Sequence, residues 1–180
     1  TMGEAKRRQQ GSSGTAPAAS STPPMAVGAR GRGGLVLLLL AVLGLLAYHN
    51  AFQSPFIWDD PYLITDNYLI RSFRYLPEAF TQHLYYSTAG LSNFYRPLQT
   101  FFLTVDYALW KTNPFGYHLT SFVFHLACAF MAYQTTVRLF RRSGVAVLVG
   151  LVFVVHPINS TVVDYIASRA DSQATCFMLL

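Results

Sequence analysis

Charged side chains are scarce in this sequence, and cysteines are almost absent. Of its 180 residues, 12% are charged and 52% are hydrophobic. Soluble domains carry about 25% charged residues, so the shortage argues against a typical soluble protein and indicates contact with lipid. The two cysteines, Cys128 and Cys176, both lie in apolar segments. Two cysteines form neither a disulfide framework nor a zinc site, and their positions predict buried free thiols.

Basic residues lie beside hydrophobic runs instead of on a folded face rich in aromatics, which is the pattern of nucleic-acid binders. We therefore exclude nucleic acid as a partner and predict that the partner is the lipid bilayer. One basic group precedes the first apolar run, and the other follows a later one. They comprise Lys6, Arg7, Arg8, Arg30 and Arg32, and then Arg138, Arg141 and Arg142.

The hydrophobic pattern predicts an all-α integral membrane protein with two regions. Residues 1–34 contain no Ile, Leu, Phe, Trp or Tyr, so we predict a disordered basic cytoplasmic tail. Residues 35–180 form the membrane domain. Its predicted spans cover about 33–50, 118–138 and 143–158, and 172–180 begins a fourth. Because half a span cannot satisfy its backbone in lipid, we expect this chain to be a fragment.

The two basic groups predict how the chain crosses the membrane. Cytoplasmic segments are enriched in Lys and Arg, and two spans separate the groups, so both lie on the cytoplasmic side. The loop 51–117 then lies outside. Its last part has Leu98, Phe101, Phe102, Val105 and Leu109 at helical spacing. This pattern predicts an amphipathic helix, either lying along the membrane surface or packing against other helices.

Two adjacent carboxylates, Asp59 and Asp60, follow the first span closely. Adjacent acids repel each other, which raises the pKa of one of them and suits a general base. The alternative is structural, because an Asp before Pro61 can begin a helix.

Four further side chains could take part in chemistry at the outer surface. Arg96 opens the amphipathic helix, where it could hold an anion or extend toward the interface. Arg169 and Asp171 precede the last apolar run, as a salt-bridged helix start or as a phosphate-facing arginine with its neighbour. His156, followed by Pro157, either supports the site or stops a helix.

These pieces together resemble a known family. The ordered motifs are Asp59-Asp60, Tyr95-Arg96-Pro97-Leu98, Asn113-Pro114-Phe115-Gly116-Tyr117-His118, His125, His156-Pro157-Ile158 and Ser168-Arg169-Ala170-Asp171. From about Phe56 onward, this order is similar to the N-terminal membrane part of the transmembrane-and-TPR-repeat O-mannosyltransferases and their bacterial relatives. Those enzymes have the C-type (GT-C) glycosyltransferase fold, a multi-span helical bundle.

The resemblance implies a transferase that uses a polyprenyl-phosphate sugar, with mannose expected, and the Ser or Thr hydroxyls of a protein acceptor at the extracytoplasmic face. It maps the essential acid onto Asp59 or Asp60. We assign the donor phosphate to Arg96 and Arg169, with a divalent cation as a possible substitute and no certain cofactor. His156 and Asp171 are supporting residues. The family's second loop reads His-Pro-Ile-His-Thr-Glu, whereas here Asn159, Ser160 and Thr161 follow Ile158, so its second His and its Glu are missing.

Two other classes of function remain open. The chain could be a non-catalytic anchor or scaffold for a TPR-type interaction domain, or a fragment of a lipid-linked saccharide transporter or polymerase. Paired acids at the outer surface favour the transferase, and a transporter would place ionisable groups inside its spans. The opening residues favour a bacterial inner membrane, with the endoplasmic reticulum membrane as the alternative.

Overall fold

The computed structural model describes residues 28–88 and 93–180, and these residues form helices and turns without any strand. The predicted tail therefore lies, up to residue 27, outside the described residues. The α-helices are α1 (Gly28–Tyr48), α2 (Asp60–Ile64), α3 (Leu76–Ala79), α4 (Pro97–Trp110), α5 (Pro114–Phe140), α6 (Ser143–Val155), α7 (Thr161–Asp164) and α8 (Arg169–Leu179). Short 3-10 helices cover Ala51–Gln53, Leu69–Arg71, Phe73–Tyr75, Pro157–Asn159 and Ile166–Ser168. The all-α prediction is confirmed for this part of the chain.

The helix α5 is the centre of the bundle and packs against α1, α4, α6 and α8. It begins with Asn113 as N-cap, whose side chain accepts a hydrogen bond from the Phe115 backbone N–H at 3.2 Å. Pro114 occupies the first turn, where its missing N–H costs nothing. Gly44 lets α1 approach α5 closely, since a Cβ there would lie 2.9 Å from the Phe122 ring. Small residues serve this purpose wherever two helix backbones must come near each other.

Only one helix among the described residues is long and apolar enough by itself to cross a bilayer, and it is α5 with 27 residues. The apolar part of α1, Arg32–Tyr48, is shorter. The helix α6 qualifies only together with Pro157–Asp164, from which a bend of 52° separates it. The bend follows from Pro157, which cannot continue the helix. The multi-span bundle thus stays a prediction.

The outward surfaces of α1 and α6 are apolar. Leu35, Leu38 and Leu46 on α1, and Leu148 and Val152 on α6, are each at least half exposed. Monomeric soluble proteins rarely expose continuous apolar surface of this kind. Such helices need lipid or further protein around them.

The amphipathic helix α4 buries mainly polar side chains. Its buried residues are Gln99, Thr100, Leu103, Thr104 and Asp106, whereas Leu98 and Leu109 of the predicted stripe are 49% and 68% exposed. Four of the five buried side chains of α4 are therefore polar, and Leu103 is the apolar one, which belongs to a hydrophobic core cluster.

The start of α1 and the turn between α5 and α6 lie at the same end of the bundle, because Arg32, Ser143 and Gly144 line one cavity. The opposite end of α1 reaches the outer loop, where Tyr48 and Ala51 pack with Phe122 and Val163. The two basic segments thus lie at one end of the bundle, and their position relative to a membrane stays a prediction. Asp59 and Asp60 lie with the loops at the opposite end of the bundle from Arg32, Ser143 and Gly144.

Candidate active site

At the end of the bundle that carries the loop 51–117, called the outer end below, the buried carboxylate of Asp60 links distant segments of the chain. This side chain is fully buried. It accepts backbone N–H groups from Ala167 at 2.9 Å, Ile57 at 3.2 Å and Ile166 at 3.4 Å. Burial raises the pKa of Asp60, although these hydrogen bonds act in the opposite direction. Asp60 thus joins the first outer loop to the segment before α8, more than 100 residues away.

Asp59 has the opposite environment, since its side chain is exposed. Its Oδ2 accepts hydrogen bonds from the Tyr165 hydroxyl at 2.9 Å and from the Tyr85 hydroxyl at 3.1 Å. Burial, together with the charge of Asp59, raises the pKa of Tyr85 to about 12 and also raises the pKa of Tyr165. Both phenols therefore remain protonated donors at neutral pH. Two hydroxyls on one oxygen hold the carboxylate in a fixed orientation.

The turn that leads into the two acids contains a residue with a strained backbone. Trp58 has φ of 49°, and the Asp60 N–H donates to the Ile57 carbonyl at 2.9 Å across it. The left-handed conformation of a bulky residue costs about 1–3 kcal/mol and occurs preferentially at functional sites. The Trp58 ring also meets the Tyr165 ring edge-on, with 5.2 Å between centroids. After this turn, the side chain of Asp59 is exposed and the side chain of Asp60 is buried.

A cavity of about 200 Å³ adjoins Asp59. It brings together three of the predicted site residues, Asp59, Arg96 and Asp171. The Arg96 guanidinium lies 5.3 Å from the centre of the Phe94 ring. The cavity is lined by Asp59, Leu84, Tyr85, Phe94, Arg96, Tyr165, Ala167, Ser168 and Asp171. One cation and two carboxylates thus share a small recess at the outer end.

Arg169 does not reach this cavity. It is fully buried, and its Nη1 lies 2.5 Å from Oδ2 of Asp106, whose Oδ1 accepts the Thr120 hydroxyl at 2.7 Å. Burial raises the pKa of Asp106, and the charge of Arg169 opposes that rise. Arg169 is therefore salt-bridged at the start of α8, but to Asp106 of α4 and not to Asp171. A donor phosphate has no access to Arg169 in this arrangement.

His156 also lies away from the cavity. It is exposed at the end of α6 and caps the following turn, because its Nδ1 accepts the Ile158 N–H at 3.2 Å. It lines a separate apolar groove of about 540 Å³ with residues such as Leu148 and Val152. This placement fits the helix-stop interpretation of His156-Pro157.

The sequence did not single out the two tyrosines that hold Asp59, nor Asp106 as the partner of Arg169. Tyr165 lies 106 residues from Asp59, so no local spacing links them. The only signal was the abundance of aromatic residues in the outer loop. For metals, the described residues contain no group of three or more His, Cys, Asp or Glu side chains that could hold an ion.

Comparison with known proteins identifies relatives over most of the chain. It is 30% identical to mouse protein O-mannosyl-transferase TMTC2 over 151 residues, which are 79% of this chain and 18% of that protein. A Caenorhabditis elegans protein O-mannosyl-transferase is 28% identical over 149 residues, 79% of this chain and 22% of its own length. Human protein O-mannosyl-transferase TMTC1 is 29% identical over 147 residues, with 79% and 17% coverage.

No family model matches the chain, and no solved structure matches it. The matched segment covers only about a fifth of the relatives' length. The chain belongs to the TMTC family of protein O-mannosyl-transferases.

Proposed function

We propose that this chain is the N-terminal membrane part of a GT-C-type glycosyltransferase, in which Asp59 is the general base. The donor is a polyprenyl-phosphate sugar, with mannose expected, and the acceptor is a Ser or Thr hydroxyl of a protein. The names of the relatives support glycosyl transfer, and the relatives' greater length supports a longer protein. The observation that carries the proposal is the exposed, tyrosine-held carboxylate of Asp59 in a cavity with Arg96.

The hydrogen bonds of Asp59 indicate which of its two carboxylate oxygens acts as the base in this proposal. Oδ2 accepts both tyrosine hydroxyls, which leaves Oδ1 for the acceptor. The acceptor hydroxyl gives its proton to Oδ1 as its oxygen forms a bond to the anomeric carbon. The bond from that carbon to the phosphate oxygen breaks at the same time. A base positioned in this way contributes roughly 10²–10⁴-fold to the rate.

Arg96 is the cation that receives the departing phosphate. Negative charge grows on the leaving group, and a positioned cation stabilises it in the transition state. Arg96 lines the same cavity as Asp59, whereas Arg169 is held by Asp106. The proposal therefore keeps Arg96 as the phosphate residue and treats Arg169 as structural. Asp171, which also lines the cavity, is the second carboxylate available to the acceptor or to a cation that arrives with the donor.

The membrane provides both the donor and its orientation. The lipid-linked sugar is confined to the leaflet beside the cavity, which reduces the entropy lost on binding. The proposal places the site on the extracytoplasmic side. The relatives compared above come from mouse, human and nematode, so they give no support to a bacterial inner membrane. We propose the alternative, the endoplasmic reticulum membrane.

The test is the transfer of labelled mannose from a polyprenyl-phosphate donor to a Ser/Thr peptide by the complete protein that contains this chain. Asp59→Asn is expected to lower the rate at least 100-fold without changing the unfolding temperature, because the side chain is exposed. Asp66→Asn is the matched control, since Asp66 is an exposed acid of the same loop outside the cavity. Full activity of the Asp59 variant would refute the base. Absence of transfer by the wild-type protein with this donor would favour the scaffold alternative.

A further inference from the structure

A second cavity lies at the end of the bundle that is farthest from Asp59. Its volume is about 560 Å³, and it lies between residues 32–36 of α1, Tyr133 of α5 and the beginning of α6. Its walls are mainly apolar, and its polar side chains are Arg32, Tyr133 and Ser143. The lining residues are Arg32, Leu35, Val36, Tyr133, Ser143, Gly144 and Val147. The mannosyl transfer proposed above makes no use of this cavity.

The surroundings of this cavity carry positive charge without compensation. The segments 28–48 and 131–155 contain five arginines and no acidic residue. Arg138, Arg141 and Arg142 are exposed. Among the side chains that the structure describes, the one ion pair within 4.0 Å is Arg169–Asp106, so Arg32, Arg138, Arg141 and Arg142 have no carboxylate partner there. An anion at this end would complement the charge.

The backbone at the same place also favours an anion. The helix α6 begins after Arg142 without a side-chain cap and has no acid in its first turn. Its first N–H groups, at Ser143 and Gly144, are therefore open to a ligand, and helix N-termini attract anions. Both residues line the cavity. A Cβ added at Gly144 would meet nothing within 4 Å, so the entrance is open.

Arg141 adds to the positive charge at this end of the bundle. It ends α5 in the left-handed conformation, with φ of 54°, and its N–H donates to the Val137 carbonyl at 2.9 Å. Its side chain is exposed. Glycine is the usual residue at this C-terminal position, because it has no Cβ to strain, so a glycine here removes the charge without disturbing the turn.

We propose that this cavity binds one anionic phospholipid of the cytoplasmic leaflet. The phosphate contacts Arg32 and the first turn of α6, and an acyl chain lies along Leu35, Val36 and Val147. Basic pockets between transmembrane helices on the cytoplasmic side recognise anionic headgroups in this way. The proposal requires that the helices lie in a bilayer, but it does not depend on the transferase activity.

The experiment is native mass spectrometry of the complete protein that contains this chain, purified in detergent and titrated with palmitoyl-oleoyl phosphatidylglycerol or with phosphatidylcholine of identical acyl chains. A single phosphatidylglycerol is expected to bind more tightly than phosphatidylcholine. Arg32→Gln is expected to weaken it about fivefold, the effect of one basic residue near the headgroup. Arg74→Gln is the matched control, because it removes one arginine charge from the outer loop and is expected to change nothing.

Two further variants separate lipid binding from folding. Arg141→Gly removes the charge and relieves the left-handed strain, so we expect weaker phosphatidylglycerol binding with an unchanged or higher unfolding temperature. Gly144→Leu fills the cavity entrance and is expected to prevent binding of the lipid. The proposal is overturned if phosphatidylcholine binds equally well or if Arg74→Gln weakens binding as much as Arg32→Gln. Displacement by millimolar inorganic phosphate would also overturn it and would identify a site for free anions.

Discussion

Asp59 and Asp60 are adjacent carboxylates with different physical roles. Asp60 is fully buried and accepts three backbone N–H groups, whereas Asp59 is exposed and held by two tyrosine hydroxyls. Oδ1 of Asp60 accepts the Ala167 N–H, and Oδ2 accepts the N–H groups of Ile57 and Ile166. An asparagine at position 60 would keep only one acceptor oxygen. Its NH₂ group would therefore face at least one backbone N–H donor and leave it unsatisfied. Unsatisfied buried donors cost about 1–3 kcal/mol each.

We therefore expect Asp60→Asn to lower the free energy of unfolding by about 2 kcal/mol near pH 5. The pKa of Asp60 is raised in the folded protein, so the folded state holds its proton more tightly than the unfolded state. The stability that this proton contributes is complete below the unfolded pKa and is lost as the pH rises through the folded pKa. The free energy of unfolding of the wild type should thus exceed that of Asp60→Asn by a margin that decreases as the pH rises above about pH 4.

Denaturant unfolding in detergent between pH 3.5 and 7 measures this difference, and Asp66→Asn is the control. Asp66 is exposed, so its substitution should leave the stability within about 0.5 kcal/mol at every pH. If Asp60→Asn were as stable as the wild type, the carboxylate would not be the tie between residues 57 and 167.

At the scale of helices, the sequence predicted positions better than orientations. The apolar stripe from Leu98 to Leu109 predicted a helix, and α4 covers Pro97–Trp110. It did not reveal that Gln99, Thr104 and Asp106 are buried, because the spacing of apolar residues does not show which polar side chains find partners on other helices. The cavity residues Asp59, Arg96 and Asp171 could be chosen from motifs. Tyr85 and Tyr165 could not, since only the packing of distant segments brings them to Asp59.

The ion pair between α4 and α8 gives a prediction at this scale. Arg169 and Asp106 are both almost completely buried, so removal of one partner leaves the other without compensation. Asp106→Leu is expected to cost about 3–5 kcal/mol. Arg169→Met is expected to cost less, because burial already raises the pKa of Asp106 and the carboxyl group can take up a proton.

A double-mutant cycle measured by denaturant unfolding in detergent tests this prediction. The double variant Asp106→Leu/Arg169→Met should be more stable than Asp106→Leu alone, since apolar residues of similar volume often replace a buried pair without loss. Purely additive losses would show that the two side chains are not coupled. Arg71→Met is a suitable control, because Arg71 is exposed and its guanidinium donates to the Thr65 carbonyl.

For the whole molecule, we propose that the two ends of the bundle lie on opposite sides of the membrane. One end carries Arg32, Arg138, Arg141 and Arg142, and the other carries the cavity with Asp59. The described helices show one segment, α5, that can span a bilayer by itself. The proposed orientation therefore depends on the positive charge at one end and on the apolar surfaces of α1 and α6.

Cysteine labelling tests this orientation. Cys128 and Cys176 are buried and should react slowly with a membrane-impermeant maleimide. Trp58→Cys and Leu139→Cys introduce thiols at positions that are 75% and 72% exposed, at opposite ends of the bundle. In sealed vesicles whose cytoplasmic face is outward, Leu139→Cys should be labelled at once and Trp58→Cys only after detergent opens the membrane. Labelling of both without detergent would place Asp59 on the cytoplasmic side, where an extracytoplasmic acceptor could not reach it.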